Sequence, residues 1–152
     1  MKNIWFYEFP VGTVGIAEQG GAITNVFFGS GLPSSCEKKE TALIQKAAGQ
    51  LREYFNKERR EFDLPLLLEG TTFQLSVWGA LCRIPFGQTR SYKEIAVMVG
   101  NEKACRAVGL ANNRNPVSII VPCHRVIGQD GSLTGYGGGL PAKQLLLDLE
   151  NN

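Results

Sequence analysis

Cys123 and His124 are the adjacent residues of this chain whose types best fit covalent chemistry. They stand in Pro122-Cys123-His124-Arg125, and His124 is the single histidine among 152 residues. A thiol attacks an electrophile only as its thiolate, and a neighbouring imidazole or its hydrogen-bond network promotes that ionisation. The pair therefore indicates a nucleophilic cysteine. The alternative is a buried cysteine at a strand end beside a surface histidine.

The residues before this pair must position it. The apolar run at 117–121 predicts a buried strand that leads directly into the motif. Pro122 has no backbone N–H and a restricted φ, so we expect it to define the turn in front of Cys123.

Two helices are predicted immediately upstream of that strand. Ser91-x-x-Glu94 is a capping-box pattern that begins a helix, and Gly100 ends it. Asn101 is predicted to cap the next helix, over residues 102–112. Helix, tight turn and helix are typical of a DNA-binding helix-turn-helix, although ordinary helical hairpins share the pattern.

Basic residues are concentrated in the second half of the chain. Through Glu69 there are eight Lys and Arg residues against nine Asp and Glu, and from Gly70 onward there are eight against five. Seven basic residues and two acidic ones lie between Arg83 and Arg125, both included. This local excess suits a polyanionic partner, with a solvated face as the alternative.

Composition excludes several classes of protein. With 43% hydrophobic and 20% charged residues, the chain is typical of soluble globular proteins. Neither a transmembrane span nor a signal peptide is visible, so we expect a cytoplasmic protein without a membrane partner. No Cys-x-x-Cys pair occurs, so we expect free thiols, no metal and no cofactor. The four cysteines are Cys36, Cys82, Cys105 and Cys123.

The first third predicts a small sheet covered by one helix. Strands are expected at residues 4–9, 13–17 and 22–28, followed by a loop at 29–35. An apolar stripe with i, i+4 spacing predicts a helix over residues 39–57. No residue pattern here suggests chemistry, so we expect a supporting domain that ends at Glu69.

The remaining 83 residues, 70–152, predict a mainly helical, winged-helix-like domain that contains the helix-turn-helix. Thr71-x-x-Gln74 is a second capping box at the start of a helix. A last helix is predicted from Leu140-Pro141 to Glu150. We expect it to point Leu145, Leu146 and Leu149 inward. The fold class is therefore α+β, with domains at 1–69 and 70–152.

The second domain closely resembles the O6-alkylguanine-DNA alkyltransferases, also called methylated-DNA–protein-cysteine methyltransferases. The first domain is similar to that family's ribonuclease-H-like part in layout only. The matching motifs occur in order along the second domain: Phe73-Gln74-x-x-Val77-Trp78, Ile84-Pro85-x-Gly87-x-Thr89-x-Ser91-Tyr92, Arg106-Ala107-Val108-Gly109, Asn115-Pro116, Pro122-Cys123-His124-Arg125-Val126 and Gly135-Tyr136-x-Gly138-Gly139.

The resemblance implies direct repair of double-stranded DNA that carries O6-alkylguanine, by a protein expected to be a monomer. Cys123 would take the alkyl group irreversibly, so each molecule would act once, and O4-alkylthymine is a second candidate substrate. His124 would accept the thiol proton through a water, with Glu150 orienting the imidazole. Tyr92 would donate a hydrogen bond to the leaving guanine. Asn115 would hold the turn between the recognition helix and the cysteine.

The resemblance also implies a DNA surface and a base pocket. Arg106 would fill the gap left by a flipped-out base, and small residues on the recognition helix would fit the minor groove. The implied DNA-contacting residues are Arg106, Ala104, Ala107, Ala111, Lys103, Arg114, Ser91 and Arg125. Those implied for the base pocket are Tyr92, Val126, Tyr136, Gly137 and Gly138.

Simpler roles and rival functions remain open for these residues. Tyr92 would otherwise pack against the core, Arg106 would contact a phosphate, and Glu150 would fray into solvent near the C-terminus. Ser118 stands where many relatives have proline, and Gly137 stands where some relatives have serine. The rival functions are a helix-turn-helix regulator, a non-enzymatic binder of alkylation damage and a cysteine hydrolase.

Overall fold

The computed structural model describes residues 1–151 and contains two compact units, Met1–Leu68 and Glu69–Asn152. The predicted boundary lay one residue later, after Glu69. Within residues 1–151 no helix has the length and apolar character needed to cross a membrane. Each unit is built around its own buried side chains.

The first unit contains a four-stranded sheet in the order β3-β2-β1-β4. Strands β1, β2 and β3 pair antiparallel, and β4 pairs parallel to β1. The bounds are β1 Lys2–Phe9, β2 Gly12–Gln19, β3 Ala22–Phe28 and β4 Cys36–Lys38. The first three strands were predicted and are confirmed. Sequence reasoning missed β4 because its sequence, Cys-Glu-Lys, is short and polar.

Helix α1 (Ala42–Phe55) packs its apolar stripe on this sheet. The rings of Phe9 and Phe55 stack with centroids 5.4 Å apart. The helix begins later than predicted because the Thr41 hydroxyl accepts a hydrogen bond from Ile44 N, which makes Thr41 the N-cap. It ends before Lys57, which has a left-handed φ of 63°. The predicted sheet-plus-helix arrangement is confirmed.

The second unit is mainly helical. Both predicted capping boxes are present, at Thr71 with Gln74 and at Ser91 with Glu94. Two short strands, β5 before α3 and β6 after the Cys123–Arg125 turn, pair in parallel through Arg90 with Val126 and Ser91 with Ile127. Sequence reasoning missed this pair. The elements are α2 Thr72–Leu81, β5 Arg90–Ser91, α3 Tyr92–Met98, α4 Cys105–Asn113, a 3₁₀ turn at Cys123–Arg125, β6 Val126–Ile127 and α5 Leu140–Asn151.

The connection between α3 and α4 is longer than predicted. Gly100 has a φ of 83°, and Asn101 N donates to Ala96 O, which closes the end of α3. Ala104 N then donates to Asn101 O, so residues 101–104 form a turn rather than the first turn of a helix. The prediction that Asn101 caps a helix starting at residue 102 is therefore wrong, and Ala104 is the N-cap of α4.

Trp78 lies in the core of this unit and links two of its helices. Its side chain is 2% exposed, and its indole Nε1 donates to Ala111 O at 2.9 Å, which joins α2 to α4. Burial of an apolar side chain of this kind contributes about 1.5–3 kcal/mol. In α5 the buried residues include Leu146 and Leu147, whereas Leu145 and Leu149 are only half-buried. The buried face of α5 therefore differs from the predicted one by a rotation of part of a turn about the helix axis.

Candidate active site

The segment before Cys123 consists of tight turns, so the predicted strand at 117–121 is wrong. Ile120 N donates to Ser118 O at 2.8 Å around Ile119, whose φ is 71°. This is a γ-turn in a conformation that is strained for a β-branched residue. The Asn115 side chain spans the segment by accepting from Val117 N and donating to Val121 O. These local bonds satisfy backbone groups that a strand would have paired with a sheet.

A second tight turn delivers Cys123 itself. Pro122 has φ −82° and ψ 64°, and Cys123 N donates to Val121 O at 2.8 Å. Cys123 and His124 then lie on the 3₁₀ turn, with the Cys123 residue 4% exposed and His124 fully buried. The pair is therefore held inside the unit.

The buried thiol is difficult to ionise in the unliganded protein. Burial raises the pKa of Cys123 to about 11. Hydrogen bonds from the Asn115 and Ser118 side chains and the charge of Lys143 oppose that rise, without cancelling it. Attack by this sulfur therefore requires a base that removes its proton.

His124, Glu150 and Arg125 form a buried network beside the thiol. Glu150 Oε2 lies 2.7 Å from His124 Nε2. Arg125 donates two hydrogen bonds to the same carboxylate, from Nε to Oε1 at 2.8 Å and from Nη2 to Oε2 at 2.9 Å. Its Nη1 donates to Ile84 O. This bidentate pair fixes the orientation of the Glu150 carboxylate, and the carboxylate in turn fixes the orientation of the His124 imidazole.

The network also determines which nitrogen of His124 is basic. Burial lowers the pKa of His124, against the opposing hydrogen bond and charge of Glu150, so the imidazole is neutral at pH 7. Since Glu150 can only accept, Nε2 carries the proton and Nδ1 holds the free lone pair. Within residues 1–151 Nδ1 has no hydrogen-bond partner. It is therefore available as a proton acceptor.

Lys143 is a buried cation that sequence reasoning missed. Its residue is fully buried, and Nζ donates to Val126 O at 2.6 Å and Thr134 O at 3.0 Å. Burial lowers the pKa of Lys143, and the nearby Cys123 thiolate would raise it again. A signal was present in the sequence, because Lys143 lies seven residues before Glu150 and so shares its helix face.

A groove of about 340 Å³ lies beside α4. The Tyr92 hydroxyl donates to Thr134 O at 3.0 Å and accepts from Thr134 Oγ1 at 3.2 Å, which places it at the groove wall. Of the residues predicted for a base pocket, Tyr92 lines this groove, whereas Val126 is buried and Tyr136, Gly137 and Gly138 lie outside its lining. The lining residues are Tyr92, Cys105, Arg106, Gly109, Asn113, Thr134 and Gly135.

A larger groove of about 590 Å³ lies along α3. Neither groove is lined by a member of the buried Cys123 network, but Tyr92 and Arg106, which were predicted to meet the flipped base and fill its gap, line the smaller one. The smaller groove is therefore the better candidate for a reactive base. The residues that line the larger groove are Arg90, Ser91, Lys93, Glu94, Val97, Met98 and Gln129.

The outer face of α4 and its ends is basic and partly apolar. Lys103, Arg106, Ala107 and Arg114 are exposed, as predicted for a surface that meets DNA, and Ala104 is half-buried. Leu110 is 54% exposed on the same helix, and sequence reasoning did not assign it. Exposed apolar and basic groups side by side suit the minor groove of DNA.

The structure buries three of the residues predicted to contact DNA. Ala111 is 3% exposed and packs in the core, with its carbonyl bound to the Trp78 indole. Ser91 is 9% exposed, and its hydroxyl caps α3 by accepting from Glu94 N. Arg125 is 7% exposed and held by Glu150. The side chains of Ser91 and Arg125 are therefore bonded within the unit, and that of Ala111 is packed in its core.

The other cysteines lie in different surroundings. Cys105 lines the groove and is half-buried, while Cys82 is exposed at the end of α2. Among the residues that the structure describes, no group of three or more His, Cys, Asp or Glu side chains could hold a metal ion.

Comparison with known proteins places both units in one family. Residues 72–152 match the family described as 6-O-methylguanine DNA methyltransferase, DNA binding domain, and residues 5–68 match its ribonuclease-like domain. The chain therefore belongs to the 6-O-methylguanine DNA methyltransferases, and the predicted family and two-part fold are confirmed.

Individual relatives cover nearly the whole chain. The methylated-DNA–protein-cysteine methyltransferase of Methanosarcina barkeri is 51% identical over 95% of this chain and 94% of its own length. The constitutive methyltransferase of that name from Bacillus subtilis is 48% identical over 94% and 92%. The crystal structure of Mycobacterium tuberculosis OGT in complex with DNA is similar with a TM-score of 0.92 and 46% identity, over 98% of this chain and 92% of that one.

Proposed function

We propose that this protein repairs DNA directly by moving the alkyl group from O6 of an alkylated guanine to the sulfur of Cys123. The observation that carries the proposal is the buried thiol next to a neutral imidazole whose other nitrogen is bonded to a carboxylate. Family membership and the DNA-bound relative support the same reaction.

The reaction begins with the thiol proton. Neutral His124 accepts it at Nδ1, because Nε2 is already bonded to Glu150. Side chains of consecutive residues diverge, so we expect a water to carry the proton between Cys123 and His124. The imidazolium that forms is stabilised by the adjacent carboxylate of Glu150, as in other nucleophile–histidine–carboxylate sites.

The alkyl carbon is then transferred in a single displacement. The thiolate forms an S–C bond while the C–O6 bond breaks, and the electron pair of that bond stays on the guanine. The guanine takes up one proton, the equivalent of the proton that His124 removed from the thiol, and becomes the normal base, while Cys123 becomes a thioether. Atoms and charge balance without a cofactor. Since the thioether is a poor leaving group, each molecule reacts once.

The raised pKa of the thiol suits a protein that is consumed by its reaction. At neutral pH a thiol with a pKa of about 11 is almost entirely protonated, so stray oxidants and electrophiles find little thiolate. Asn115 and Ser118 donate hydrogen bonds that stabilise the thiolate once His124 has taken the proton. We propose Asn115 as a positioning residue, because it also fixes the turn before Cys123.

DNA has to present the base to a buried sulfur. The O6 alkyl group is not accessible in a stacked duplex, so the nucleotide must rotate out at a cost of a few kcal/mol. We propose that Arg106 and Ala107 of α4 face the minor groove, with Arg106 filling the gap. Lys103 and Arg114 near the helix ends would contact phosphates. Tyr92, at the groove wall, would donate a hydrogen bond to the leaving guanine.

One chain carries all of these groups, so we propose that it acts as a monomer. The test is the fate of O6-methylguanine in duplex DNA, measured by nucleoside chromatography after incubation with increasing protein. We expect guanine to appear in a one-to-one ratio with protein and then to stop.

Other results would favour a rival function. Lesion-selective binding without loss of the methyl group would indicate a damage binder. Binding that depends on sequence but not on the lesion would indicate a regulator, and either result would overturn the proposal.

A further inference from the structure

Thr134 makes two different hydrogen bonds with the hydroxyl of Tyr92. The Tyr92 hydroxyl lies 3.0 Å from the backbone carbonyl of Thr134, and the Thr134 hydroxyl lies 3.2 Å from the same phenolic oxygen. Because a carbonyl can only accept, the phenolic hydrogen lies on Thr134 O. The Thr134 hydroxyl is then the donor in the second bond. Thr134 therefore accepts the hydrogen of Tyr92 and donates its own to the phenolic oxygen.

A third bond keeps the Thr134 carbonyl paired in either orientation of the Tyr92 hydrogen. Lys143, which is fully buried, donates from Nζ to Thr134 O at 3.0 Å. A carbonyl oxygen has two lone pairs, so Thr134 O accepts from Tyr92 and Lys143 at the same time. If Tyr92 turns its hydrogen elsewhere, Thr134 O keeps the bond from Lys143. Release of the Tyr92 hydrogen therefore leaves no carbonyl without a partner and carries little penalty.

Tyr92 and Thr134 both line the groove proposed to receive the flipped-out base. Tyr92 begins α3, and Thr134 lies in the connection between β6 and α5. The hydrogen of a phenol moves by rotation about the C–O bond, while the oxygen stays in place. A base in the groove can therefore take over the Tyr92 hydrogen while the bond from the Thr134 hydroxyl persists. Since hydrogen bonds in a chain polarise one another, a hydroxyl that accepts one bond donates a stronger one.

We propose that Thr134 is a positioning residue for alkyl transfer: its hydroxyl holds the Tyr92 oxygen at the groove wall and polarises the phenolic O–H as that group turns to the departing guanine. This inference rests on the proposed function, in which Tyr92 donates a hydrogen bond to the leaving base. Negative charge develops on the guanine as the C–O6 bond breaks, so the chain from Thr134 through Tyr92 is strongest in the transition state. Thr134 therefore raises the rate of transfer and leaves the affinity for DNA unchanged.

The test measures single-turnover methyl transfer from an O6-methylguanine duplex over a range of DNA concentrations. This separates the limiting rate from the DNA concentration that gives half of that rate. Thr134→Val keeps the β-branched shape and the backbone carbonyl but removes the hydroxyl. We expect the limiting rate to fall about three- to ten-fold, as for the loss of one neutral hydrogen bond, with the half-saturating DNA concentration unchanged. Thr134→Ser retains a hydroxyl and should recover most of the lost rate.

Two further variants separate this role from general support of the loop. Ser132→Ala removes another hydroxyl of the same loop, which donates to Asp130, and should react like the wild type. In a Tyr92→Phe background the Thr134 hydroxyl has lost its acceptor. Thr134→Val should therefore slow transfer by less than about two-fold beyond the effect of Tyr92→Phe alone.

Several results would overturn the inference. A Thr134→Val protein with the wild-type limiting rate would do so, and Thr134→Ala repeats the test if the valine variant does not fold. So would a Thr134→Ser protein as slow as Thr134→Val, or a change in the half-saturating DNA concentration alone. An undiminished effect of Thr134→Val in the Tyr92→Phe background would show that Thr134 does not act through Tyr92. Wild-type protein that takes no methyl group from this duplex would instead overturn the proposed function.

Discussion

Replacing Arg125 by methionine tests whether this residue supports the site from inside. The sequence predicted a DNA contact, but the structure buries the guanidinium against Glu150 and Ile84 O. Methionine keeps a long apolar side chain and removes every donor. The Glu150 carboxylate would then remain buried with His124 and the weak 3.3 Å contact from Gly87 N.

The expected magnitude follows from the buried ion pair. Removing one partner of such a pair costs about 3–5 kcal/mol, because the remaining charge stays buried without that partner. Loss of the Arg125 charge would also raise the pKa of His124 and so favour its imidazolium form, which cannot accept a proton. Since base catalysis contributes about 10²–10⁴-fold, we expect methyl transfer to slow by about ten-fold or more.

The assay combines stability, rate and DNA affinity. Guanidinium chloride unfolding should show the loss of stability, and single-turnover transfer should show the lower rate. Affinity for undamaged duplex DNA should stay within about two-fold. The matched control is Arg106→Met, an exposed arginine on α4, which should behave in the opposite way, with unchanged stability and about ten-fold weaker DNA binding. An Arg125→Met protein of normal stability but reduced DNA affinity would refute the reasoning.

Three further predictions concern charge and the thiol. Because folding lowers the pKa of His124, the unfolded chain binds more protons than the folded protein just below pH 6.5. The free energy of unfolding, measured in urea, should therefore fall as the pH decreases through that range. His124→Gln should remove this effect. Folding raises the pKa of Cys123 from 9.0 to about 11, so stability should fall by about 2–3 kcal/mol as pH rises between those values, and Cys123→Ser should abolish that loss. Asn115→Ala and Lys143→Met each remove an interaction that stabilises the Cys123 thiolate. The rate at which iodoacetamide alkylates Cys123 at pH 8 should therefore fall about three- to ten-fold in each variant, and an unchanged rate would contradict these roles.

Local sequence signals predicted much of the secondary structure. The two capping boxes fixed the starts of α2 and α3 because both hydrogen bonds of each box lie within four residues. The hairpin of β2 and β3 was visible because Gly20-Gly21 supplies two consecutive positive φ values. Such features depend on neighbours along the chain and need no knowledge of the rest of the fold.

The errors arose where distant contacts decide the structure. The run at 117–121 is apolar enough for a strand, but the Asn115 side chain closes it into turns. Arg125 looked like a surface cation because its partner, Glu150, lies 25 residues away. Asn101 had the right type for a helix cap, although its backbone completes the end of α3 instead.

The residues of the candidate site were predicted mainly from one motif and from a family resemblance. The adjacency of Cys123 and His124 is a local signal, and the structure shows both buried on one 3₁₀ turn. The contact of Glu150 with His124 was implied by resemblance alone, and the structure shows it at 2.7 Å. Lys143 was missed because a lysine on a helix is usually exposed.

The most direct test of the account is to locate the transferred methyl group. Intact-mass spectrometry followed by peptide mapping, after incubation with duplex DNA containing O6-methylguanine, should show one added methyl group per molecule, on Cys123. Cys123→Ser should gain none, while Cys82→Ser and Cys105→Ser should be methylated like the wild type. A methyl group on another cysteine, or a protein that remains unmodified while the lesion persists, would contradict the account.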